Sequence, residues 1–435
     1  MSVAGHHDLP KVKPQHLLDR MDERSANWLF AFVALALIGV VGFVAGLAAD
    51  PVRAWTALVW NWAFFSGVSI AGAVVTAAAA TAQGGWVRPL RRFAEGMTAF
   101  LPVSFVLMLI LFFGLEHVYS WVNHPPAGKE AWLDPEFFMV RQIVVVGVLY
   151  GLAGALVYRS LRPDAGRFRH RVTGWRARLY ERVTRGWEGL DIEVEQTRRI
   201  RSKLAPAMAL LYAVLWTVWA WDWIMSVDPY WFSTLFGAWI FMTHFLAALG
   251  AIAVLACTFR TYRSFEDVIT TRVLHDIGKM LFAFTVFWTY LFFAQYLVIW
   301  YGRLPEETGF VDLRVTGVYQ PVATVVLLAV FLIPFVGLLG ARPKRTPATL
   351  TAFATTSLIG IWLFHMLLVA PGVFPDFIAF GWIEIAVALG LFGVFALCYL
   401  AFMTAFPALA ITAGVPLDEQ AEEMAELQEP HEPRA

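Results

Sequence analysis

The sequence is poor in cysteine and in charge. Its two cysteines, Cys257 and Cys398, each lie alone in an apolar stretch, without a CxxC pair, a CxxCH haem-attachment motif or a ferredoxin-like cluster. We therefore expect no iron–sulfur cluster and no c-type haem on this chain. Charged residues make up 15% of it and the formal net charge is zero. This balance gives no indication of nucleic-acid binding.

Histidines deep in apolar stretches are also scarce. A non-covalent haem b would need two of them at matching membrane depth, and only His244 and His365 qualify. Haem b therefore remains an alternative that depends on this one pair, while the main expectation is a chain without a bound cofactor.

Apolar residues, by contrast, form 59% of the chain. A bilayer core needs about 20 of them in each spanning helix. The sequence predicts an all-α integral membrane protein with ten transmembrane helices. Pro102 and Pro334 fall inside two of these helices and are expected to kink them. The ten predicted runs are 28–49, 54–82, 94–118, 137–158, 204–226, 232–258, 273–301, 316–340, 348–371 and 378–406.

Lysine and arginine are distributed very unevenly between the two sides of this layout. Of the 33 in the chain, 27 lie in the two terminal segments and the connections after even-numbered helices, and only 4 lie in the other connections. The positive-inside rule then predicts that both termini are cytoplasmic. The predicted segments are an N-terminal segment 1–27, helices 1–4 at 28–158, a basic loop 159–203, helices 5–10 at 204–406 and an acidic tail 407–435.

The basic loop contains an amphipathic pattern. Val172, Trp175, Leu179 and Val183 recur at helical spacing among arginines, which is typical of a helix lying on the cytoplasmic leaflet. A docking site for a cytoplasmic protein is the alternative. The tail is acidic and contains proline, so we expect it to be disordered.

Titratable residues inside the apolar runs are costly in lipid and usually functional. The predicted topology places most of them in the outer half of the membrane, a few at the inner face, and His244 between the two groups. Groups arranged in this way are what a proton path requires. The candidate residues are Asp222, His244, Glu116, His117, Arg141, Asp228, His275, Asp276, Lys279, Tyr290, His365 and Glu384.

Several candidates also have a structural explanation. Arg141 is a candidate ion-pair partner for Asp222 or Glu116, and such a pair can hold two helices together. His244 is equally explained as a buried histidine with satisfied ring nitrogens. Asp228 precedes a proline and therefore suits the cap and first turn of the sixth helix.

Other candidates lie near the ends of the runs. Glu116 and His117 are also explained as a helix end in headgroup water, and Asp276 and Lys279 as a solvated helix start. The combination of acids and histidines on several helices favours the proton path more than any single member does.

Three sequence blocks resemble one known family. They are Trp221–Gly237 (WDWIMSVDPYWFSTLFG), Leu274–Phe284 (LHDIGKMLFAF) and Phe293–Thr308 (FAQYLVIWYGRLPEET). These blocks resemble the F subunit (ActF) family of bacterial alternative complex III, which is similar to the PsrC/NrfD-like membrane subunits. They cover helices 5 to 7, whereas the first four helices match the family by pattern only.

The resemblance implies two antiparallel four-helix bundles, helices 2–5 and 6–9, flanked by helices 1 and 10. It implies a cofactor-free subunit of a quinol:electron-acceptor oxidoreductase in a bacterial inner membrane, with a proton-conducting role. The implied partners are a second ten-span PsrC/NrfD-like subunit, an iron–sulfur/molybdopterin-like periplasmic subunit and c-type cytochrome subunits. Haem c and iron–sulfur clusters would then belong to those partners. The resemblance implies no role for Glu116, Arg141 or Glu384, whose selection depends on membrane depth alone.

Three functions follow as alternatives. The first is such a respiratory subunit, supporting proton translocation and leaving open a quinone pocket on this chain. The second is a proton-coupled secondary transporter, although no inverted repeat or interrupted helix supports it. The third is a structural membrane anchor for periplasmic cytochromes, in which the buried acids only pack the bundles.

Overall fold

The computed structural model describes residues 25–262, 265–266 and 268–409. Within these residues, ten helices are long and apolar enough to cross a membrane. The predicted all-α, multi-pass membrane fold is therefore confirmed. The spanning helices are α1 Ser25–Ala49, α2 Pro51–Thr81, α3 Gly85–Val118, α4 Pro135–Phe168, α5 Leu190–Trp223, α6 Phe236–Tyr262, α7 Thr271–Gly302, α8 Gly317–Gly337, α9 Pro347–Val373 and α10 Trp382–Ala405.

Helices α4 and α5 extend well beyond their apolar runs. The predicted bounds were 158 for the end of α4 and 204 for the start of α5, whereas the helices reach Phe168 and begin at Leu190. The guanidinium of Arg162 on α4 binds both carboxylate oxygens of Glu193 on α5, at 2.6 and 2.7 Å. Because this pair joins the two polar extensions, helical structure continues where hydropathy has already fallen. The basic loop is therefore shorter than predicted.

The amphipathic pattern in the basic loop forms a short helix, Gly174–Val183. Its buried side packs against the protein: the ring of Tyr180 stacks on Phe406, just after α10, with centroids 5.9 Å apart. Trp175 remains exposed. The expected helix is present and its Tyr180 side packs on the protein, while its location on the cytoplasmic leaflet stays a prediction. The N-terminal segment before residue 25 and the acidic tail after 409 lie outside the described residues.

The start of α6 differs from the prediction. Asp228 does not cap this helix, which begins only at Phe236. The intervening residues form a turn, in which the ring of Trp231 stacks on Phe310 with centroids 3.8 Å apart. Because this contact anchors the turn to the chain beyond α7, the backbone at 228–235 does not wind into a helix.

Both predicted prolines coincide with irregular helix geometry. In α3 a 3₁₀ turn, Thr98–Phe100, lies directly before Pro102. In α8 a π-helical turn, Leu328–Leu332, precedes Pro334. Proline has no backbone N–H to donate and its ring crowds the preceding turn, so the local hydrogen-bond pattern changes there.

Helix α2 occupies the centre of the molecule and is the most buried span. It contacts α5, α6, α9 and α10, while α4 packs on α5 and α6 packs on α7 and α9. Helices α1 and α10 pack closely along each other. Since α2 contacts helices of both proposed groups, the division into two bundles flanked by α1 and α10 stays a prediction.

Successive helices alternate in direction, so the connections fall on two faces. We name them by their most distinctive residues. The Asp222 face carries the connections 119–134, 224–235, 303–316 and 374–381, and the arginine-rich face carries 82–84, 169–189 and 338–346.

Candidate functional site

Asp222 lies in the last turn of α5 and is fully buried. Its carboxylate accepts hydrogen bonds from Arg141 Nε at 2.7 Å and Nη2 at 3.0 Å, from Trp132 Nε1 at 3.0 Å, and from Gln142 Nε2. These four donors are divided equally between the two oxygens, which fills the acceptor capacity of a carboxylate. Arg141 is therefore the partner of Asp222, and Glu116 is not involved.

Aromatic rings enclose the Arg141 guanidinium. It lies 4.0 Å from the ring centroid of Trp132 and 4.5 Å from that of Phe137. The Nη2 group also donates to the backbone carbonyl of Trp132 at 3.1 Å. The pair with Asp222 thus joins α4 to α5 while its charges are shielded from lipid, which is the arrangement that makes a buried ion pair tolerable.

Further hydrogen bonds fix the orientation of Gln142 and of the Asp222 backbone. Trp223 Nε1 donates to Gln142 Oε1 at 2.9 Å, so the amide nitrogen of Gln142 is directed at Asp222. The Ser226 hydroxyl donates to the backbone carbonyl of Asp222 and accepts from Trp121 Nε1 at 3.2 Å. The Asp222 carboxylate thus has all its acceptor positions filled, while Arg141 Nη1 is buried without a hydrogen-bond partner among the described residues.

Beside this network, a cavity of about 260 Å³ opens on the Asp222 face. Asp228 is half-buried in its wall, and Lys129 crosses it to donate to the backbone carbonyl of Pro229 at 2.6 Å. Partial burial lowers the pKa of the Lys129 ammonium, and the Asp228 carboxylate opposes that shift. The cavity is lined by Lys129, Trp132, Leu133, Trp221, Met225, Ser226, Asp228, Pro229, Trp231 and Phe232.

His244 on α6 and His365 on α9 form a buried pair deep in the membrane region. Their Nε2 atoms are 2.7 Å apart, and both residues have no exposed surface. Trp216 on α5 donates its indole N–H to His244 Nδ1 at 2.9 Å, and His365 Nδ1 lies 2.8 Å from the carbonyl of Ile361.

These contacts assign one tautomer to each ring. His244 Nδ1 must accept, so its proton is on Nε2 and is donated to His365 Nε2. His365 then carries its proton on Nδ1 and donates to Ile361. Two neutral histidines therefore satisfy every ring nitrogen, which agrees with the structural explanation of His244.

The spacing of the pair also bears on the haem b alternative. Two histidines on opposite sides of one iron would have nitrogens about 4 Å apart, since each metal–nitrogen bond is about 2 Å. The observed 2.7 Å between the Nε2 atoms is a hydrogen-bond distance and leaves no space for a metal between them. Among the described residues, no group of three His, Cys, Asp or Glu side chains is placed to hold a metal ion.

Glu384 has a different environment from the one predicted. Because α10 begins at Trp382 rather than at 378, Glu384 lies in its first turn and accepts from the Gly381 N–H at 2.7 Å. Its carboxylate also binds Arg53 Nε at 2.9 Å and Nη2 at 2.7 Å. It therefore caps α10 and joins it to the start of α2.

The remaining candidates are separate from these groups. The Glu116 side chain is 62% exposed and lies 3.9 Å from His117. Near the start of α7, the half-buried Asp276 and the exposed Lys279 form an ion pair at 2.7 Å. Tyr290 on α7 is 60% exposed. His275, also near the start of α7, has Arg345, Lys279 and Asp276 as charged neighbours.

Some buried polar groups were missed by sequence reasoning. Arg92 on α3, fully buried, binds Glu95 at 2.8 Å and Asp164 at 2.5 Å. In the middle of the bundle, the Ser104 hydroxyl is 2.6 Å from Ser66 Oγ and 2.9 Å from the Tyr150 hydroxyl. Arg92 and Asp164 were assigned to connections because they lie outside the apolar runs, and Glu95 is the second residue of its run, at the predicted helix end. Hydroxyl groups give no hydropathy signal.

Arg314, in the connection between α7 and α8, was missed for the same reason. It donates to the carbonyls of Phe310 at 2.9 Å and Leu368 at 2.7 Å, and it is almost fully buried. Burial lowers the pKa of its guanidinium to about 9, while the Asp228 carboxylate acts in the opposite direction. This residue fixes the connection against the end of α9.

No model of a known protein family matches the chain, and no curated protein is recognisably similar to it in sequence. The resemblance to alternative complex III therefore rests on the three sequence blocks alone.

Proposed function

We propose that this chain is a membrane subunit of a quinol-oxidising respiratory complex of the alternative complex III kind. It carries no cofactor of its own, presents the Asp222 face to periplasmic cytochrome and iron–sulfur partners, and supports proton translocation. A second ten-span subunit pairs with it in the bacterial inner membrane, and both of its termini are cytoplasmic.

One observation carries the proposal: two of the blocks that bear the resemblance meet at the Asp222 face. Trp231 of the first block donates its indole N–H to the Glu307 carbonyl of the third block at 3.1 Å. Ser233 of the first block is 2.9 Å from Gln295 Oε1 of the third. The two contacts join residues that are 76 and 62 positions apart in the chain, so distant segments build one surface, as expected if they serve one docking function.

The orientation is supported by charge. The Asp222 face has few lysines and arginines, whereas the opposite connections carry most of them. Under the positive-inside rule the Asp222 face lies outside, where cytochrome partners would be found.

The proton role is supported by the two buried networks. Along α5, Asp222 and Trp216 are six residues apart, which corresponds to about 9 Å at 1.5 Å per residue. Proton transfer through Asp222 requires one of its four donors to move away first, and transfer through the histidine pair requires both rings to exchange tautomers. Both the donor movement at Asp222 and the tautomer exchange of the histidines require a conformational change. Under this proposal, quinol oxidation in the complex drives that change.

A structural anchor is the second candidate, favoured by the hydrogen bonds that Asp222 and the two histidines already make. Every acceptor position of Asp222 and every ring nitrogen of the histidine pair is already satisfied. In this case the groups fix α4 to α5 and α6 to α9, and no proton moves through them.

The first experiment is purification of the tagged full chain from its native membrane in a mild detergent. The proposal predicts co-purified subunits with a c-type haem spectrum, a second ten-span subunit and quinol oxidation. A chain that purifies alone and moves a solute when reconstituted in liposomes would instead establish the transporter alternative.

The second experiment distinguishes proton transfer from anchoring. Asp222→Asn and His244→Gln complexes are compared with Glu116→Gln, an exposed-carboxylate control, for assembly and for protons released per quinol oxidised. The proposal predicts intact assembly but lost coupling in the first two variants. Unchanged coupling in assembled complexes would assign the anchor role.

A further inference from the structure

A buried cluster of charges lies at the arginine-rich end of α3, α4 and α5. Its centre is Arg92, whose two nitrogens bind Glu95 and Asp164. All three of these side chains are at most 2% exposed. Arg91 and Arg201 lie beside them, within electrostatic range of Arg92 and Glu95.

The cluster has more positive than negative charge. Arg91, Arg92 and Arg201 face two carboxylates, Glu95 and Asp164, which leaves a net charge of +1 among these five groups. Both carboxylates bind Arg92, so they are turned toward the centre of the cluster. A buried charge without a counter-charge is strongly unfavourable unless an anion binds it.

Among the three arginines of this cluster, Arg91 and Arg201 are the two for which the described part of the chain shows no ion pair, whereas Arg92 binds both carboxylates. Arg201 is 8% exposed, and its only hydrogen bond there is to the Ser160 hydroxyl, at a long 3.4 Å. Arg91 is half-buried, and its Nε is buried without a hydrogen-bond partner. Two guanidinium groups from different helices are thus left with unused donors.

The position of these donors indicates the chemistry of an occupant. Arg201 lies three residues before the apolar run that starts at 204, and Arg91 three residues before the run that starts at 94. Both are therefore at the level of the lipid headgroups. Guanidinium groups bind phosphate oxygens in paired hydrogen bonds, and basic pockets between transmembrane helices bind anionic lipid headgroups.

We propose that Arg91 and Arg201 bind the phosphate group of an anionic phospholipid at the arginine-rich ends of α3 and α5. The lipid supplies the charge that the cluster lacks and joins the two helices at this end of the bundle. Arg92, Glu95 and Asp164 hold the surrounding structure and do not contact the lipid phosphate.

The test uses the full chain, stripped of lipid in detergent, and native mass spectrometry. The probes are phosphatidylglycerol, phosphatidylcholine and inorganic phosphate. The wild-type chain should retain phosphatidylglycerol, release phosphatidylcholine, and unfold at a higher temperature with the anionic lipid. Arg91→Gln and Arg201→Gln should each weaken phosphatidylglycerol binding roughly tenfold, because each removes charged hydrogen bonds.

Arg178→Gln is the matched control, since Arg178 is exposed on the same face and the variant changes net charge equally. It should alter binding by no more than about twofold. Arg201→Lys keeps the positive charge and should retain most of the binding, which separates the loss of a site from a folding defect.

Three results would overturn the proposal. The first is equal phosphatidylglycerol binding by the wild type and both glutamine variants. The second is inorganic phosphate binding as tightly as the lipid, which would make the occupant a free phosphate. The third is lipid binding that is seen only when residues 410–435 are removed. In that case the acidic tail, and not a lipid, would be the natural counter-charge of the two arginines.

Discussion

At the scale of single residues, Asp222 and Arg141 form the most consequential pair. Replacing Asp222 by alanine leaves the Arg141 guanidinium, only 9% exposed, without its counter-charge. Breaking such a pair from one side costs about 3–5 kcal/mol, because an uncompensated buried charge remains. We expect Asp222→Ala to reduce the free energy of unfolding by that amount, measured by unfolding in mixed micelles.

The double variant Asp222→Ala/Arg141→Leu provides the control for this prediction. Removing both charges should destabilise the protein less than Asp222→Ala alone, since no unpaired charge is left. Additive effects of the two single changes would mean that the pair does not interact in the membrane.

The histidine pair depends on a glycine. A Cβ atom at Gly67 on α2 would lie 1.9 Å from the His244 ring. Gly67→Ala must therefore displace His244 and break its hydrogen bonds to Trp216 and His365. Overpacking and lost buried hydrogen bonds together predict a destabilisation of about 3 kcal/mol, measured by the same micelle unfolding experiment.

Gly147→Ala on α4 is the matched change, because a Cβ there meets nothing within 4 Å. It should leave stability unchanged or raise it by up to about 1 kcal/mol through helix propensity. Equal losses in the two variants would show that the space around His244 is not the cause.

The sequence identified these residues better than it identified their partners. Charge inside an apolar run marked Asp222, and membrane depth suggested Arg141 for it. The contact between His244 and His365 could not be predicted, because two helices separated by about 120 residues meet through packing that no local pattern encodes. Glu384 was placed too deep because the start of its helix was predicted several residues early.

At the scale of helices, α1 and α10 are held together by close backbone contact. A Cβ at Gly39 would lie 2.2 Å from the Gly390 Cα, and a Cβ at Gly42 would lie 2.3 Å from the Ala386 Cβ. Small residues at such crossings let two helices approach in lipid, where van der Waals packing drives association. Helices α1 and α10 are therefore held together by close packing at glycines, whereas α4 and α5 are joined by polar contacts.

Gly39→Leu should therefore separate α1 from α10. The larger side chain has no space at the crossing, so we expect a loss of at least about 2 kcal/mol in the free energy of unfolding. Gly151→Leu, on an exposed part of α4 with nothing near its Cβ, should have little effect. A Gly39→Leu protein as stable as this control would contradict the close packing of the two helices.

Helix existence was predictable and helix length was not. Hydropathy located all ten spans, because each must contain about 20 mostly apolar residues to cross the bilayer core. It could not locate the ends of α4 and α5, since helical hydrogen bonds continue through charged residues when ion pairs such as Arg162 with Glu193 compensate them. The irregular start of α6 depended on Trp231 stacking on Phe310, a contact between distant segments.

At the scale of the whole molecule, the two faces differ in chemistry. The Asp222 face is aromatic, with a cavity and few cations, whereas the arginine-rich face carries the buried cation cluster and the short amphipathic helix. The proposed partners need the first face outside, and the proposed lipid phosphate suits the second face inside. Both proposals therefore require the same orientation in the membrane.

Cysteine labelling tests that orientation directly. The native Cys257 and Cys398 are first replaced by alanine, and a single cysteine is introduced at Ala127 on the Asp222 face or at Thr173 on the arginine-rich face, both exposed positions. Because the cation-rich face should remain cytoplasmic, an impermeant maleimide added to intact spheroplasts should label the Ala127→Cys protein and not the Thr173→Cys protein. After permeabilisation both should react, which confirms that each thiol is accessible. The reverse pattern would place the Asp222 face inside, where no periplasmic cytochrome could reach it, and the docking role would have to be abandoned.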